Sequence, residues 1–392
     1  MKSCLRIAVL VEWSRAYGRG ILGGIADYVQ THNRWKVFHT ERRLCDGVPP
    51  WFERWQGDGI IARIEDPDLL EQVRRKGLPT VELFRCGAQG DGFATVRTDE
   101  EAVARMAAEH LIDRGLRQFA YCGLPGVSGS EKRGRLFAQV LFERGFFLWE
   151  YPCRMGTDRF LSASEDRELL CDDAVAHWIA NLPKPIGLLA CNDVRARQIL
   201  MACDDRNIMV PEEVAVMGVD NDEIVCRLCG PSLSTIELDP HRVGYEAAAL
   251  LDTWMANPRK TPPARMIAPK GLVVRQSTDV IAVSDTDVAS AVKFIREHAC
   301  DGINVSTVLD HVPVSRSTLE RRFHRILNRS PKDEIDRVQL AQVKRLLAQT
   351  DYPLSKIASL AGFRYTEGMC HLFRNTFGQT PGEYRHAQRK RG

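Results

Sequence analysis

Two stretches near the end of the chain follow one template, and that repetition restricts the fold more than any other feature. VLDHVPVSRSTLERRF (308–323) is followed by Pro331, and IASLAGFRYTEGMCHLF (357–373) by Pro381. In each copy an apolar pair leads to a turn and a second helical run ends in Phe. Each Pro stands eight residues beyond that Phe. Gly362 suits the strained turn of the second copy, and Pro313 stands in the first. Helix, tight turn, helix presents a recognition helix to a DNA major groove. Between the copies, 333–349 reads as one helix, with Ile335, Leu340, Val343, Leu346 and Leu347 at helical spacing. Such a connector would hold two recognition helices about one turn of DNA apart, roughly 34 Å.

Residues 1–275 have a different rhythm. Apolar runs at 6–12, 35–40, 59–64, 79–84, 119–124, 186–191, 214–220 and 266–274 read as strands. Helical patterns lie between them, as at 20–30, 100–114 and 133–144. Buried strands separated by helices predict parallel sheets, and this length suits two α/β lobes. QSTDVIAVSDTD (276–287) breaks the rhythm and reads as a linker, and from Val288 the chain is helical. The expected domains are therefore 1–275, a linker at 276–287, and an all-α domain at 288–388 with two helix-turn-helix units.

Charge divides at the same place. Residues 286–392 carry 18 Lys and Arg against 11 Asp and Glu, whereas residues 1–285 carry 36 against 40. A basic module joined to a near-neutral one suits a phosphate-bearing partner on one side only. No apolar run is long enough to span a bilayer, and the start reads as a first strand rather than a signal peptide, so no membrane partner and a cytoplasmic location are expected. The 12 Cys are scattered, and only Cys226 and Cys229 form a C-x-x-C pair. Without a second pair or a nearby His they read as reduced thiols rather than zinc ligands. Neither G-x-S-x-G nor H-E-x-x-H occurs, and the chain is read as a regulator, not an enzyme, with no metal and no cofactor.

The C-terminal segment resembles the AraC-type DNA-binding domain over roughly its full length. IASLAGF and FRNTFGQTPGEYR (373–385) carry the likeness. The resemblance implies that Ser317, Glu320 and Arg321 face the bases from the first recognition helix. Glu367, Gly368 and His371 do so from the second, and Ser315, Arg316, Arg364 and Thr366 complete the set at the DNA. Arg321 suits guanine and Glu320 suits cytosine. Other Arg and Lys would hold phosphates. The alternative for each is an exposed helical polar residue. Gly368 costs roughly 1 kcal/mol of helix propensity. His371 stands where many relatives have Arg.

Near the other end, Gly18, Gly20 and Gly23 spell G-x-G-x-x-G, with Glu41 beyond them. A nicotinamide-dependent oxidoreductase is the reading this permits. Yet WSRAY (13–17) separates the first Gly from the strand, where a dinucleotide site needs it at the strand's end. A helix with small residues packed closely on a sheet is the plainer account. LVEWSRAYGRGILGGIADY, GLP (123–125), Arg133–Phe137, ACNDVRARQIL and VMGVDNDE together resemble the LacI-type effector domain, which has the two-lobed fold of periplasmic sugar-binding proteins. The likeness covers residues 5–275.

A LacI-type sensor followed by an AraC-type reader resembles the bacterial regulators of pentose catabolism. It implies a homodimer, an operator in double-stranded DNA, D-xylose as the effector, and RNA polymerase as a partner if the protein activates. Another small sugar or polyol is the alternative effector. A sugar needs polar groups for its hydroxyls and an apolar wall for its C–H face, and loops at the carboxyl ends of parallel strands supply both. Trp13 and Tyr17 are expected as the wall, Asp193 and Asp220 as acceptors, and Arg133 as a donor. Asn192, Arg195, Asn221 and Asp99 are expected nearby. The alternatives are helix N-caps for Asp193 and Asp220 and core packing for Trp13.

Overall fold

The computed structural model describes residues 4–32, 35–43, 46–64, 67–84, 92–124, 127–152, 173–257, 262–279, 285–327 and 329–389. The chain divides into two units, residues 1–280 and 281–392. Pro125 of the GLP tripeptide and residues 280–284 of the expected linker lie outside the described residues.

The first unit contains two six-stranded sheets. One runs β2 (Trp35–Phe38), β1 (Leu5–Leu10), β3 (Gly59–Ala62), β4 (Thr80–Glu82), β5 (Ala94–Thr98) and β11 (Arg265–Ile267), all parallel. The other runs β7 (Leu148–Glu150), β6 (Gln118–Cys122), β8 (Ile186–Ala190), β9 (Val214–Val219), β10 (Ser234–Glu237) and β12 (Gly271–Val273), with β12 alone antiparallel. Every residue of β8 and β9 is buried, as is the run from Ile7 to Leu10 of β1. Helices cover both faces of these central strands, so their sequences show no alternation.

The chain passes between the lobes three times. It leaves β5 for α4 (Glu100–Asp113), leaves β10 for α9 (Pro240–Ala256), and crosses again between β11 and β12. Each crossing is held by hydrogen bonds. Asp99 caps α4 by accepting from the Glu101 and Ala102 N–H groups, both at 3.1 Å, and its own N–H donates to Ile267 O at 2.8 Å. Asp239 caps α9 at Arg242 N, and Lys270 N–H donates to Glu237 O at 2.8 Å.

The glycine run serves contact between helices. α1 (Ala16–His32) crosses α9 so closely that a Cβ on Gly24 would lie 1.9 Å from His241 O. Gly244 reciprocates, with a Cβ there 2.0 Å from Ile21 O. Gly20 meets the Pro240 ring, and Gly18 sits against Glu12. The small residues were expected to face a sheet; Gly20, Gly23 and Gly24 face a helix instead, and Gly18 faces the loop after β1.

Three further expectations are corrected. The single strand expected at 266–274 is two strands in different lobes, because the chain turns at 268–270. β5, β7 and β10 were not expected; they are short, and each carries polar residues among the apolar ones. The expected linker starts too early. Ser277 and Thr278 are fully buried, Ser277 Oγ donates to Val216 O at 2.6 Å, and Thr278 Oγ1 donates to Ser234 Oγ at 2.7 Å. Small hydroxyl residues that suggested a flexible segment are instead bonded into the second lobe.

The second unit is helical: α10 (Thr286–His298), α11 (Val305–Leu309), α12 (Arg316–Leu327), α13 (Pro331–Gln349), α14 (Leu354–Leu360), α15 (Thr366–Phe377) and α16 (Pro381–Arg389). Leu319 and Phe323 of α12 are fully buried, and Met369 and Phe373 of α15 pack in one cluster with Leu340, Val343 and Leu347 of α13. Gly362 adopts φ 78° at the turn, the left-handed conformation expected there.

The close crossing of α1 and α9 generates a first prediction. Gly24→Ala forces backbone into backbone and destabilises the first unit by about 1–3 kcal/mol. Gly23→Ala, whose Cβ meets only the His241 ring at 3.7 Å, changes stability far less. All seven Trp lie before residue 260, so tryptophan fluorescence in urea reads this unit within the full chain. Equal effects of the two substitutions would contradict the assignment.

Candidate functional site

The carboxyl ends of the strands in both sheets open on one cavity with an empty volume of about 840 Å³, its mouth included. Arg15 and Tyr17 follow β1, Arg63 follows β3, and Phe84 follows β4. Thr98 ends β5, with Arg97 beside it and Glu100 just beyond. From the other lobe come Asn192 after β8, Asp220 after β9, and Lys132 and Arg133 of α5 (Ser128–Phe142). A ligand here would touch both lobes.

Asp220 reaches the cavity through unusual backbone. It and Asn221 adopt φ 114° and 53°, each a departure costing about 1–3 kcal/mol in a residue with a side chain. Asp220 N–H donates to Ile236 O at 3.0 Å, Asn221 N–H to Thr235 Oγ1 at 3.3 Å, and Asp222 N–H to Asp193 Oδ2 at 2.7 Å. Burial pushes the Asp220 carboxyl up to about 6, although the Arg133 and Arg63 charges pull it back.

Two of the cations around it are held by carboxylates. Arg133 donates from Nε and Nη2 to the two Glu100 oxygens at 2.7 and 2.9 Å, and from Nη1 to Cys191 O. Burial opposes the Arg133 charge, but Glu100 more than offsets this and raises its pKa. Arg63 donates to buried Glu12 at 2.5 Å and lies over the Phe84 ring, 4.4 Å from its centroid. Tyr17 Oη shares a 3.1 Å hydrogen bond with Thr98 Oγ1, and burial pushes its phenol up to about 12.

Of the nine expected sugar contacts, Tyr17, Arg133, Asn192 and Asp220 line the cavity. Arg133 has three of its donors committed to protein, and Asn192 caps α7 (Asp193–Asp205) by accepting from Arg195 N at 2.8 Å. The other five do not line it. Trp13 is 46% exposed and stacks on His39. Asp99 is the cap at the lobe crossing. Asp193 is buried behind the cavity, where Thr235 Oγ1 donates to it at 2.5 Å, and burial pushes it up to about 8. Gly218 makes its room, since a Cβ there would lie 2.2 Å from Asp193 Oδ1. Arg195 is buried over the Tyr151 ring and donates to Gln198 Oε1 at 3.0 Å. Asn221 Oδ1 accepts from Arg275 Nη2 at 2.8 Å. The caps are Asn192 and Asp222, so neither Asp193 nor Asp220 plays that part.

Phe84, Arg15, Arg63, Arg97, Glu100 and Lys132 were missed. Their shared signal is place: most stand within a few residues of a strand's carboxyl end. Phe84 takes the wall position expected of Trp13, and Gly129 leaves room for its ring.

In the second unit, Ser315, Arg316, Ser317 and Arg321 are exposed along the first recognition helix, α12, and Glu320 is half-buried. Ser315 Oγ accepts from Thr318 N at 3.3 Å, capping the helix, and Arg316 Nε donates to Glu320 at 2.9 Å. Along α15, Glu367, Gly368 and His371 are exposed, with Arg364 just before it and Thr366 at its start. His371 Nε2 lies 3.0 Å from Asn375 Nδ2. α13 ties the turn after α10 to the turn between α14 and α15: Gln339 Nε2 donates to Ala299 O at 2.8 Å and Gly362 O at 3.2 Å. Glu334 of α13, fully buried, draws in Arg296, Arg329 and Arg337. Burial opposes its charge, yet those arginines lower its pKa.

Residues 6–96 match the XylR N-terminal domain family, 108–278 the periplasmic binding protein-like domain family, and 308–387 the helix-turn-helix domain family. The chain is 31% identical to a xylose operon regulatory protein of Haemophilus influenzae over 97% of its own length and 98% of the relative's. It is 30% identical to the protein of that name from Escherichia coli K12, over 97% and 96%. Among solved structures, a xylose-binding transcription activator xylR superposes with a TM-score of 0.79 at 29% identity, covering 98% of each chain. A cellobiose complex of the regulator CelR matches 71% of this chain with a TM-score of 0.56 at 19% identity, a likeness of fold alone.

Nothing lies within 4 Å of where a Cβ on Gly368 would stand, so no protein packing requires this glycine. Gly368→Ala should stabilise α15 by about 0.5–1 kcal/mol, seen as slower amide exchange along that helix. If the exposed face meets DNA closely, the same substitution weakens DNA binding. Unchanged DNA affinity in a stabilised variant would remove Gly368 from the interface.

Proposed function

The chain belongs to the family of xylose operon regulatory proteins, and on that premise we propose that it is a D-xylose-responsive activator of transcription. The observation that carries the reading is the cavity shared by both lobes, with the Asp220 carboxylate on one side and Tyr17 on the other. A pentose lying between them takes up the Asp220 oxygens with two hydroxyls and presents its C–H face to Tyr17 and Phe84. Because it contacts both lobes, the sugar favours the form in which they are closed on it.

The route from cavity to reader is short. Asp220 adjoins Asn221, whose side chain is bonded to Arg275. Arg275 also donates to Leu233 O at 2.9 Å, and two residues later Ser277 enters the buried hydrogen bonds at the end of the first unit. A change in the Asp220 backbone is thus delivered to the segment that leads to the DNA-binding unit. In this reading two chains pair, α12 and α15 of each enter successive major grooves, and the bound activator touches RNA polymerase in the cytoplasm.

Titration calorimetry on the full chain tests this. D-xylose binds saturably, and L-arabinose, D-ribose and D-glucose bind at least tenfold more weakly. Asp220→Asn lowers xylose affinity by about tenfold or more, the worth of a hydrogen bond to a charged group. Operator DNA selected from a random pool raises xylose affinity, and by linkage xylose raises DNA affinity by the same factor. Asn221→Ala lowers that factor towards one. No effect of DNA on xylose affinity would sink the mechanism, and no sugar binding would sink the effector assignment.

The position of Asp220 on the pH scale gives a further prediction. Its pKa of about 6 leaves it ionised at pH 8 and protonated at pH 5. The ionised carboxyl accepts from two hydroxyls with both oxygens and a full charge, and protonation turns one of these oxygens into a donor. Xylose affinity is therefore level above about pH 7 and falls towards tenfold per unit below about 6. A profile flat from pH 8 to 5 would take Asp220 out of the sugar contact.

A further inference from the structure

The cavity holds more positive charge than a neutral sugar can use. Arg133 is answered by Glu100 and Arg63 by Glu12. Besides Arg15, two further cations line the same space: Arg97 on β5 and Lys132 of α5. Among the described residues, neither has a hydrogen-bond or ion-pair partner, and Arg97 Nε is buried without one. Both residues are half-buried, and taking a cation partly out of water without a counter-charge has a cost that a ligand's anion would offset. Arg97 offers a planar fork that matches a carboxylate, and Lys132, from the other lobe, offers a point charge to the same cavity.

We propose that the same cavity takes a second class of ligand, a sugar acid of pentose size, whose carboxylate lies against Arg97 and Lys132 while its hydroxyls bond Asp220. A carboxylate is favoured over a phosphate because one planar anion satisfies the Arg97 fork and leaves the hydroxyls for the acidic side of the cavity. This rests on the effector reading of the cavity and adds to it. A neutral pentose uses Asp220 and the aromatic wall; its oxidised form uses these and the two cations as well. The regulator would then read both a sugar and the acid that a sugar-oxidising reaction makes from it.

The test is calorimetry of the full chain with sodium D-xylonate, D-xylose and D-xylose 5-phosphate, repeated with Arg97→Gln and Lys132→Gln. Tryptophan fluorescence in urea verifies that each variant folds. Xylonate is expected to compete with xylose and to bind at least tenfold more tightly. Arg97→Gln should cost xylonate at least tenfold more than it costs xylose. Xylose binding without xylonate binding would overturn the sugar-acid proposal and leave the xylose reading standing. Xylonate binding without xylose binding would do the reverse, and binding of neither would overturn both. Tighter binding of the 5-phosphate than of xylonate would overturn the carboxylate assignment, as would an Arg97→Gln variant that weakens xylose and xylonate alike.

Discussion

Burial of charge at the carboxyl ends of two parallel sheets is the constraint on which the rest of the first unit depends. Parallel strands bring their loops to one edge, and here that edge carries Arg63, Glu100, Arg133 and Asp220 around one cavity. Stripping water from such groups is tolerated only where the protein replaces it. It does so in pairs. Glu12 is buried to receive Arg63, and Glu100 opens α4 where it can receive Arg133 in a fork. Asp193 stands behind the cavity and holds the backbone that turns Asp220 inward. Glycines fit around these groups: Gly18 leaves space for Glu12 and Gly218 for Asp193. Charge, strand ends and missing side chains form one arrangement.

The second unit solves a different problem, that of keeping two recognition helices in fixed relation within a small core. Apolar contacts with α13 supply most of the cohesion, but they do not fix register along the connector. Gln339 does, by closing two carbonyls, one in the turn after α10 and one in the turn between α14 and α15. Glu334 does the same at the connector's start, drawing arginines from α10 and from the turn before α13. A buried carboxylate with several arginines contributes little net stability, and its worth lies in specifying one arrangement.

Much of this was legible in the sequence. The repeat around Phe323 and Phe373 located both helix-turn-helix units, and uninterrupted apolar runs located the central strands. The double-lobed fold and the family followed from motifs in order. The site was legible only in part. Asp220 and Asp193 both follow buried strands and look equivalent in sequence. What separates them is the direction each side chain takes, set by positive φ at one and a glycine notch at the other. Trp13 follows the same strand as Arg15 and Tyr17, but its backbone N–H donates to Arg42 O and its ring stays outside. Arg63 read as the tail of a strand, since nothing in its spacing reveals that Glu12 lies opposite. Asn221 sits beside a cavity residue yet bonds away from the cavity, to a partner 54 residues further on. Such long-range pairings leave no local pattern.

The central claim is that occupancy of this cavity is felt where the chain leaves the first unit. Amide hydrogen exchange on the full chain, with and without saturating D-xylose, tests it most directly. The account predicts slower exchange at 97–100 and 219–222, around the cavity, together with a change at 275–278. Protection confined to the cavity segments, or lying elsewhere in the chain, would contradict it.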